Sequence, residues 1–449
     1  MKTGREIALQ ILKEVDEKDA YANIALSHAL EQYRPSPQER RLATELVYGT
    51  IKAKNTLDWV IGQYATRSVE KMTVWVRNIL RMGVYQLLYL DRIPASAACN
   101  EAVNLTKRYG HLGTAKFVNG ILRAIVRGKE NIQFPDISSD PVNHIALRFS
   151  HPAWLVKRWV DRFGVEETVQ LCEKNNETPQ LSVRTNVLKI TPQELQQQLE
   201  ADGLTVQKSR WAPEGLLIDG FSALGQLDAL RQGLFQVQDE SSMLVVHVLD
   251  PQSGEFVIDA CGAPGGKTTH IAQKMGNLGR IVSTDIHAHK LKLTAENCGR
   301  LGINIVEAKT MDARHLHELY FEQADRVLVD APCSGLGVLR RKPDARWRKC
   351  PEMLVDLPVL QAEILESAAK CVKPAGILLY STCTIEPEEN EAVVAQFLSR
   401  HPEFVLEHAG QLLPEPRAEQ MVQLYPHRDN IDGFFIARMR KVSANHAKN

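Results

Sequence analysis

The sequence contains no apolar run of the roughly 18 residues that a membrane-spanning helix needs, so no membrane partner is predicted. Its eight cysteines show no CxxC pair and no regular spacing, which argues against a disulfide framework and predicts no metal site. The first twenty residues mix both charge signs, unlike the uncharged core of a signal peptide. These absences predict a reduced, cytoplasmic protein whose cysteines are mostly buried small hydrophobic side chains.

Net charge is also lacking, because 54 Lys and Arg balance 54 Asp and Glu. The balance hides an asymmetry: residues 1–130 hold 20 basic and 13 acidic side chains, whereas the remainder of the chain is acidic by the same margin. A basic N-terminal third suggests a polyanionic partner for that part. Ordinary variation in surface charge explains the asymmetry equally well at this point.

The 449 residues, 44% of them hydrophobic, suffice for about three domains. Apolar residues recur at helical spacing through residues 1–130, which predicts an all-α domain. A polar stretch with two prolines at 129–142 reads as a linker, and mixed helix and strand signals over 143–235 predict a small α+β domain. Residues 236–441 alternate strands and helices, which is typical of an α/β, Rossmann-like domain.

The strands of this last domain are predicted from short apolar runs that are bounded by polar turns. The final one is expected to run antiparallel to its neighbours. The predicted strands are Phe256–Ala260, Arg280–Asp285, Ile303–Val306, Arg326–Asp330, Gly376–Tyr380 and 432–441.

The first of these strands leads into the glycine-rich segment DACGAPGGKT at 259–268. Glycines at the start of a helix let backbone N–H groups approach an anion or a ribose closely. The segment misses the P-loop pattern by one residue and lacks the G-x-G-x-x-G spacing of a dinucleotide site. An S-adenosylmethionine (AdoMet) loop, which needs only close backbone approach, fits better than a purely structural turn. The candidate cofactor-binding residues here are Cys261, Gly262, Ala263, Pro264, Gly265, Gly266 and Lys267.

Two further carboxylates are candidates for cofactor contacts. Asp285 ends the second strand, where Rossmann-type sheets place an acid that accepts hydrogen bonds from a ribose diol. Asp312 follows the next strand and could meet the adenine amino group. A helix cap is the alternative for Asp285, and an ordinary loop acid is the alternative for Asp312.

Two cysteines follow neighbouring strand ends, Cys333 in DAPCSGLG (330–337) and Cys383 in STCTIEPEEN (381–390). In a doubly wound sheet these ends should meet at the carboxyl edge, where ligands bind. Either thiol could be the nucleophile on physical grounds. A helix starting at Pro387 would lower the pKa of Cys383, whereas the three nearby glutamates would raise it.

Taken together, these motifs resemble the RsmB/Nop2/Sun family of AdoMet-dependent RNA (cytosine-5)-methyltransferases. The resemblance extends to RRKPDARW (340–347) and DGFF (432–435), and the N-terminal segments ACNEAVNLTKRYG (98–110) and KFVNGILRAI (116–125) resemble the RNA-binding NusB domain. The pairing points to the bacterial Sun/Fmu branch. Two departures are Gly262, where the family usually has alanine, and the His-Ala-His sequence at 287–289.

The resemblance implies methyl transfer from AdoMet to carbon 5 of one cytosine of 16S ribosomal RNA, the cytosine at position 967, by a monomeric enzyme. It also implies that Cys383 attacks C6 of the base, that Cys333 assists release of the product, and that Asp330 serves both N3 of the base and the cofactor. The chemistry explains the residues, since C5 becomes nucleophilic only after a thiolate has added to C6.

Reaching the base requires flipping it out of its stack, so RNA contacts are expected. The segment VLRRKPDARWRK (338–349) combines six basic residues with Trp347, although a solvated helix end is the alternative. The candidate RNA-binding residues are Arg340, Arg341, Lys342 and Arg346, together with Arg184 and Asn186, which match a family motif.

Two other functions remain open from the sequence. GGKT and the strand ending in Asp330 would also suit a nucleotide-phosphate-binding protein. The basic helical domain would also suit an RNA-binding assembly factor with a vestigial catalytic domain. Retention of both cysteines and of Asp330 argues against the assembly factor.

Overall fold

The computed structural model describes residues 2–18, 20–221 and 224–442, and these form two compact units. The first unit contains residues up to Glu177 and the segment 339–348; the second contains the rest of the chain. No helix in the described parts is both long and apolar enough to cross a membrane.

The first unit is entirely helical. Its core is formed by apolar faces of α1 to α7, with Leu9, Leu46, Ile61 and Leu80 fully buried. The helices are α1 (Gly4–Lys18), α2 (Ala22–Tyr33), α3 (Pro37–Lys52), α4 (Lys54–Tyr64), α5 (Val74–Tyr89), α6 (Ala95–Tyr109), α7 (Leu112–Gly128), α8 (Pro141–Arg148), α9 (Ala153–Phe163) and α10 (Val165–Asn176).

Helices α8 to α10 belong to this helical unit, whereas residues 143–235 were expected to form one small domain. Hydrogen bonds explain the difference. Asn55 Nδ2 donates to Ala146 O at 2.9 Å and Thr56 Oγ1 donates to Leu147 O at 2.6 Å, which attaches α8 to α4. Such tertiary bonds leave no signal in local sequence periodicity.

The second unit contains two sheets. The helices are α11 (Pro192–Ala201), α12 (Asp228–Arg231), α13 (Glu240–Leu249), α14 (Gly266–Lys274), α15 (Ala288–Leu301), α16 (His317–Tyr320), α17 (Met353–Cys371), α18 (Glu391–Arg400) and α19 (Pro426–Asp429). The strands are β1 (Leu181–Thr185), β2 (Thr205–Lys208), β3 (Gly215–Asp219), β4 (Phe235–Val237), β5 (Phe256–Asp259), β6 (Arg280–Asp285), β7 (Val306–Thr310), β8 (Ala324–Asp330), β9 (Val372–Thr382), β10 (Phe404–Leu406), β11 (Met421–Leu424) and β12 (Phe434–Lys441).

The smaller sheet is antiparallel, with the order β2-β3-β1-β4. The larger has the order β10-β12-β9-β8-β5-β6-β7, with β11 paired to β12. Strands β5 to β9 are parallel, and β12 runs antiparallel to β9. Helices α13 to α15 cover one face and α17 and α18 the other, as the two apolar cores show. The predicted fold class is therefore confirmed.

One predicted strand was misplaced: β7 covers Val306–Thr310, whereas Ile303–Val306 was expected. Gly302, at φ +77°, ends α15, and Ile303 N donates back to Cys298 O at 2.9 Å. Ile303 therefore still belongs to the helix terminus, and its apolar side chain serves the helix–sheet core rather than the strand.

Candidate active site

The thiols of Cys333 and Cys383 lie side by side, with 3.2 Å between their Sγ atoms. The register of β8 and β9 causes this, because Asp330 is paired with Ser381 and each cysteine follows its strand end within three residues. The Cys383 backbone N–H also donates to Cys333 Sγ at 3.3 Å. The expectation that the two strand ends meet is confirmed.

The pKa of the Cys333 thiol is raised well above its usual value, first by its hydrogen bond with Cys383 and then by burial. Cys333 therefore holds its proton. Either sulfur can be the donor in the contact between Cys333 and Cys383.

Asp330 forms an ion pair with Lys267, whose Nζ lies 2.7 Å from Asp330 Oδ2. Burial opposes the charge of Lys267, but its attraction to Asp330 is strong enough to raise its pKa. Ser381 Oγ donates to the other carboxylate oxygen at 2.9 Å. Lys267 Nζ also lies 5.0 Å from the ring centre of Phe434, in the DGFF motif.

Sequence reasoning missed the structural role of Glu389, which it treated only as an unfavourable charge near Cys383. Glu389 is fully buried and accepts hydrogen bonds from Ser334 N at 2.7 Å, from Ser334 Oγ and from Gln361 Nε2 at 3.0 Å. Burial raises the pKa of its carboxyl. Glu389 therefore fixes the Cys333 loop to the segment after Cys383. The acidic PEEN segment, which follows Cys383 in the sequence, was the signal that could have indicated this role.

The helix expected at Pro387 is a single 3-10 turn, Pro387–Glu389, and α18 begins only at Glu391. A turn of this length has almost no dipole. The prediction that a helix dipole from Pro387 acts on Cys383 was therefore wrong. Asn390 interrupts the helix because its side chain bonds to Thr382 Oγ1 at 2.5 Å and to Thr384 O at 3.1 Å.

The remaining cysteines fit the expectation of buried hydrophobic side chains, apart from Cys350, which is exposed. Cys99, Cys172, Cys298 and Cys371 are buried, and burial raises the pKa of each thiol. Burial does the same to Cys261 in the glycine-rich segment. These five thiols stay protonated and are poor nucleophiles.

The glycine-rich segment connects β5 to α14 and is shaped for close approach. Gly265 has φ +96°, and a Cβ there would lie 2.8 Å from Thr294 Cγ2. A Cβ on Gly262 would collide with Ser283 Oγ and lie 2.7 Å from Asp259 Oδ2. Ser283 and Asp259 therefore leave no room for an alanine at position 262 in this chain.

Asp259 lies beneath this loop and is fully buried. Thr268 Oγ1 donates to Asp259 Oδ2 at 2.7 Å, whereas Oδ1 has no hydrogen-bond partner in the described part of the chain. Burial raises the pKa of this carboxyl to about 7. An open glycine turn above an unsatisfied carboxyl oxygen fits a bound cofactor with hydrogen-bond donors.

Asp285 ends β6 and accepts a hydrogen bond from His287 N at 2.8 Å, which leaves its other oxygen for a ligand. Asp312 accepts from the Arg314 guanidinium at 2.7 Å and caps a 3-10 turn, and the bond to Arg314 lowers its pKa. The loop-acid alternative therefore describes part of what Asp312 does. An adenine contact stays a prediction for it.

Arg184 and Asn186 are fully buried and bond inside the protein. Arg184 donates to Gln273 Oε1 at 2.8 Å, to Gly266 O at 2.7 Å and to Thr269 Oγ1 at 2.9 Å. Asn186 accepts from Gln273 Nε2 at 2.9 Å. In this structure they attach β1 to α14, the helix that follows the glycine-rich segment, and they face no solvent from which RNA could reach them.

Arg346 is also fully buried, in the helical unit. It donates to Ser150 O at 2.9 Å, to Asn175 O at 3.1 Å and to Asn176 Oδ1 at 2.8 Å. Trp347 Nε1 donates to Ile51 O at 2.7 Å. These two side chains hold the segment 339–348 in its place, whereas Lys342 is exposed, Arg341 half-buried and Arg340 buried. Lys342 is thus the most accessible of the basic RNA candidates.

Comparison with known proteins matches three segments of the chain, and it places α9 and α10 in the middle segment rather than in the helical one. The NusB family model matches residues 2–127, a ferredoxin-like domain model of RsmF/B-like methyltransferases matches 151–224, and the model described as 16S rRNA methyltransferase RsmB/F matches 246–440. A probable ribosomal RNA small subunit methyltransferase B of Bacillus subtilis is 42% identical over 97% of this chain and 98% of its own length. The chain belongs to the RsmB/F family of 16S rRNA methyltransferases.

A second relative and two solved structures support this family assignment. The ribosomal RNA small subunit methyltransferase B of Serratia proteamaculans is 33% identical over 91% of the chain and 92% of its own length. The crystal structure of PH0851 superposes with a TM-score of 0.83 at 31% identity, covering 98% of this chain and 99% of its own. NSun6 from Pyrococcus horikoshii, solved with SFG, gives a TM-score of 0.59 at 28% identity over 65% of this chain and 98% of its own. RsmB/F members are AdoMet-dependent, and the glycine cradle and Asp259 suit that cofactor.

Stability should fall as pH rises between about 4 and about 7, by roughly 3 kcal/mol from Asp259 alone. The folded protein holds a proton on Asp259 up to about pH 7, whereas the unfolded chain releases it near its ordinary pKa of 3.8. Asp259→Asn should flatten this dependence in urea unfolding. The exposed Asp219→Asn should not, and equal slopes for wild type and Asp259→Asn would contradict the assignment.

Arg346→Met should lower the free energy of unfolding by about 3–5 kcal/mol, because three buried acceptors lose a charged donor. Lys342→Met, in the same RRKPDARW motif, is the control. It should change the free energy of unfolding by less than about 0.5 kcal/mol, because Lys342 is exposed. Urea unfolding followed by circular dichroism measures both. If Arg346→Met weakened RNA binding with unchanged stability, the structural role would be wrong.

Proposed function

We propose that this RsmB/F methyltransferase transfers the methyl group of AdoMet to carbon 5 of a single cytosine in 16S rRNA, position 967 by the family resemblance, through a covalent adduct with Cys383. The observation that carries the proposal is the pair of thiols 3.2 Å apart beside the Lys267–Asp330 ion pair. Methylation at a ring nitrogen or at a ribose oxygen would not need a nucleophilic cysteine pair.

In the first step Cys383 Sγ adds to C6 of the flipped cytosine. Cys333 favours the required thiolate by hydrogen bonding to it, and the positive charge of Lys267 interacts favourably with Cys383. Addition pushes electron density through C5 toward N3, so N3 must accept a proton. In our proposal Asp330 passes to N3 the proton that it shares with Lys267 Nζ, which leaves the Lys267–Asp330 pair one proton short until product release.

When bound, AdoMet supplies an electrophilic methyl group to C5. Lys267 belongs both to the cofactor segment and to the base-binding residues, since it lies in the glycine-rich segment and reaches Asp330 at the end of β8. The cofactor segment and the base-binding residues are therefore tied by one side chain. We assign cofactor contacts to residues 261–267, Asp285, Asp312 and Asp330.

Release requires that the C5 proton leave and the C6–S bond break. Once Cys383 Sγ is bonded to C6 its negative charge is gone, so the main cause that raises the pKa of Cys333 disappears. Cys333 can then release its own proton to solvent, which is the one proton that the overall reaction sets free, and accept the C5 proton. The electron pair of the C5–H bond restores the C5–C6 double bond, Cys383 leaves as a thiolate, and N3 returns its proton.

We infer that the RNA is contacted by the exposed Lys342, by the half-buried Arg341 and by the basic helical domain, with Arg340 contributing from its buried position. Arg184, Asn186 and Arg346 would contribute by holding their segments in position. We also propose that the protein is monomeric and that it acts in the cytoplasm. The cytoplasm keeps thiols reduced, which a nucleophilic cysteine requires.

Cys383→Ala should abolish methyl transfer to 16S rRNA while leaving AdoMet affinity within about twofold, because the thiol serves the base rather than the cofactor. Labelled-methyl transfer and calorimetric AdoMet titration measure the two effects. The exposed Cys350→Ala is the matched control and should retain full activity. Normal turnover by Cys383→Ala would overturn the nucleophile assignment, and an inactive wild type would favour the assembly-factor alternative.

Cys333→Ala should trap the adduct, since methylation can proceed but the C5 proton finds no base. A denaturing gel should show an RNA-linked protein band that disappears in Cys333→Ala/Cys383→Ala. Rapid turnover without an adduct would show that another group removes the C5 proton.

A further inference from the structure

Three ligand-type side chains meet at the middle of α14, and none of them is a residue of the thiol pair. Glu214 precedes β3, His247 lies on α13 and His270 on α14. Their ligand atoms all lie within 4.8 Å of one another. Nε2 of each histidine is 2.9 Å from the same carboxylate oxygen, Glu214 Oε1. Thus two imidazoles and one carboxylate converge on one point.

His270 is poorly satisfied by hydrogen bonds. Its side chain is only 1% exposed, and neither ring nitrogen has a hydrogen-bond partner in the described chain. Nε2 is close to Glu214 Oε1 but lacks the alignment of a hydrogen bond. A buried imidazole without a partner is costly, so something else is expected to satisfy it.

We propose that Glu214, His247 and His270 bind a divalent transition-metal ion of the zinc type. Imidazole nitrogen and carboxylate oxygen bind Zn²⁺ at about 2.0–2.2 Å, which places the ligand atoms of a tetrahedral site roughly 3.3–3.6 Å apart. The two 2.9 Å separations would each have to lengthen by about 0.5 Å when the ion binds. A cavity of about 210 Å³ borders Glu214 and His270 and leaves room for water as the fourth ligand.

The metal would join three segments of the second unit: the start of β3, α13 and α14. Helix α14 begins at Gly266, within the cofactor segment. The ion would therefore stabilise the helix on which that segment depends, without touching the reacting atoms. The inference does not rest on the proposed cytosine chemistry.

Cations of the protein itself are the alternative to an ion. Lys274 Nζ lies 3.4 Å from His247 Nδ1, and the charge of the buried Arg184 acts on Glu214. If these suffice, the three residues form a hydrogen-bonded cluster only. The two possibilities differ in whether the full-length protein takes up metal at this place.

The test is titration of the chelator-stripped full-length protein with Zn²⁺ by calorimetry and with Co²⁺ by absorption. We expect one equivalent bound at these residues, a higher melting temperature, and no thiolate-to-cobalt charge-transfer band for this equivalent. Glu214→Gln and the half-buried His247→Gln should each weaken binding at least tenfold. Lys274→Met keeps the three ligands and should bind as tightly as wild type or more tightly.

Two controls exclude other metal-binding groups. His287→Gln/His289→Gln removes an exposed histidine pair whose rings lie 5.5 Å apart, and Cys333→Ser/Cys383→Ser removes the thiols. Both should keep the equivalent. Zn²⁺ binding that is equal in wild type, Glu214→Gln and His247→Gln, or that disappears only in one of the two controls, would overturn the proposal, as would no binding at all.

Discussion

The pairing of β8 with β9 is the constraint on which the active site depends. Asp330 stands opposite Ser381, and the chain after each strand turns over the same edge of the sheet. This register brings together two thiols that are fifty residues apart and places the carboxylate of Asp330 next to them. A shift of one residue would turn these side chains to opposite faces. The buried Glu389 stabilises the position of Cys333 beside Cys383, since its carboxylate accepts a hydrogen bond from the loop that carries Cys333.

Helix α14 is the second element on which the site depends, because several other parts of the second unit contact it. Its first turn comes from the glycine-rich segment, and Lys267 reaches from it to Asp330. Its later residues receive Arg184 and Asn186 from the small sheet. Its middle carries His270 into the Glu214 cluster. A short helix thus couples the cofactor segment, the base-binding residues and the small sheet.

Buried arginines show where reading motifs as contact residues fails. Arg184 and Arg346 lie in motifs typical of RNA methyltransferases, and both were expected to face RNA. Each instead donates several hydrogen bonds to groups inside its own unit. A guanidinium with five fixed donors suits a buried network as well as a phosphate, so residue type alone does not distinguish the two. Burial does.

The sequence by itself determined the fold class, the positions of most strands of the larger sheet, the glycine-rich segment and the two strand-end cysteines. These follow from local periodicity and from motifs that lie within ten residues of chain. Only the tertiary structure decided that α8 to α10 join the helical unit, that Glu389 anchors the Cys333 loop, and that Glu214 meets His247 and His270. Each of these depends on groups far apart in the chain, whose separation is set by packing and register rather than by local spacing.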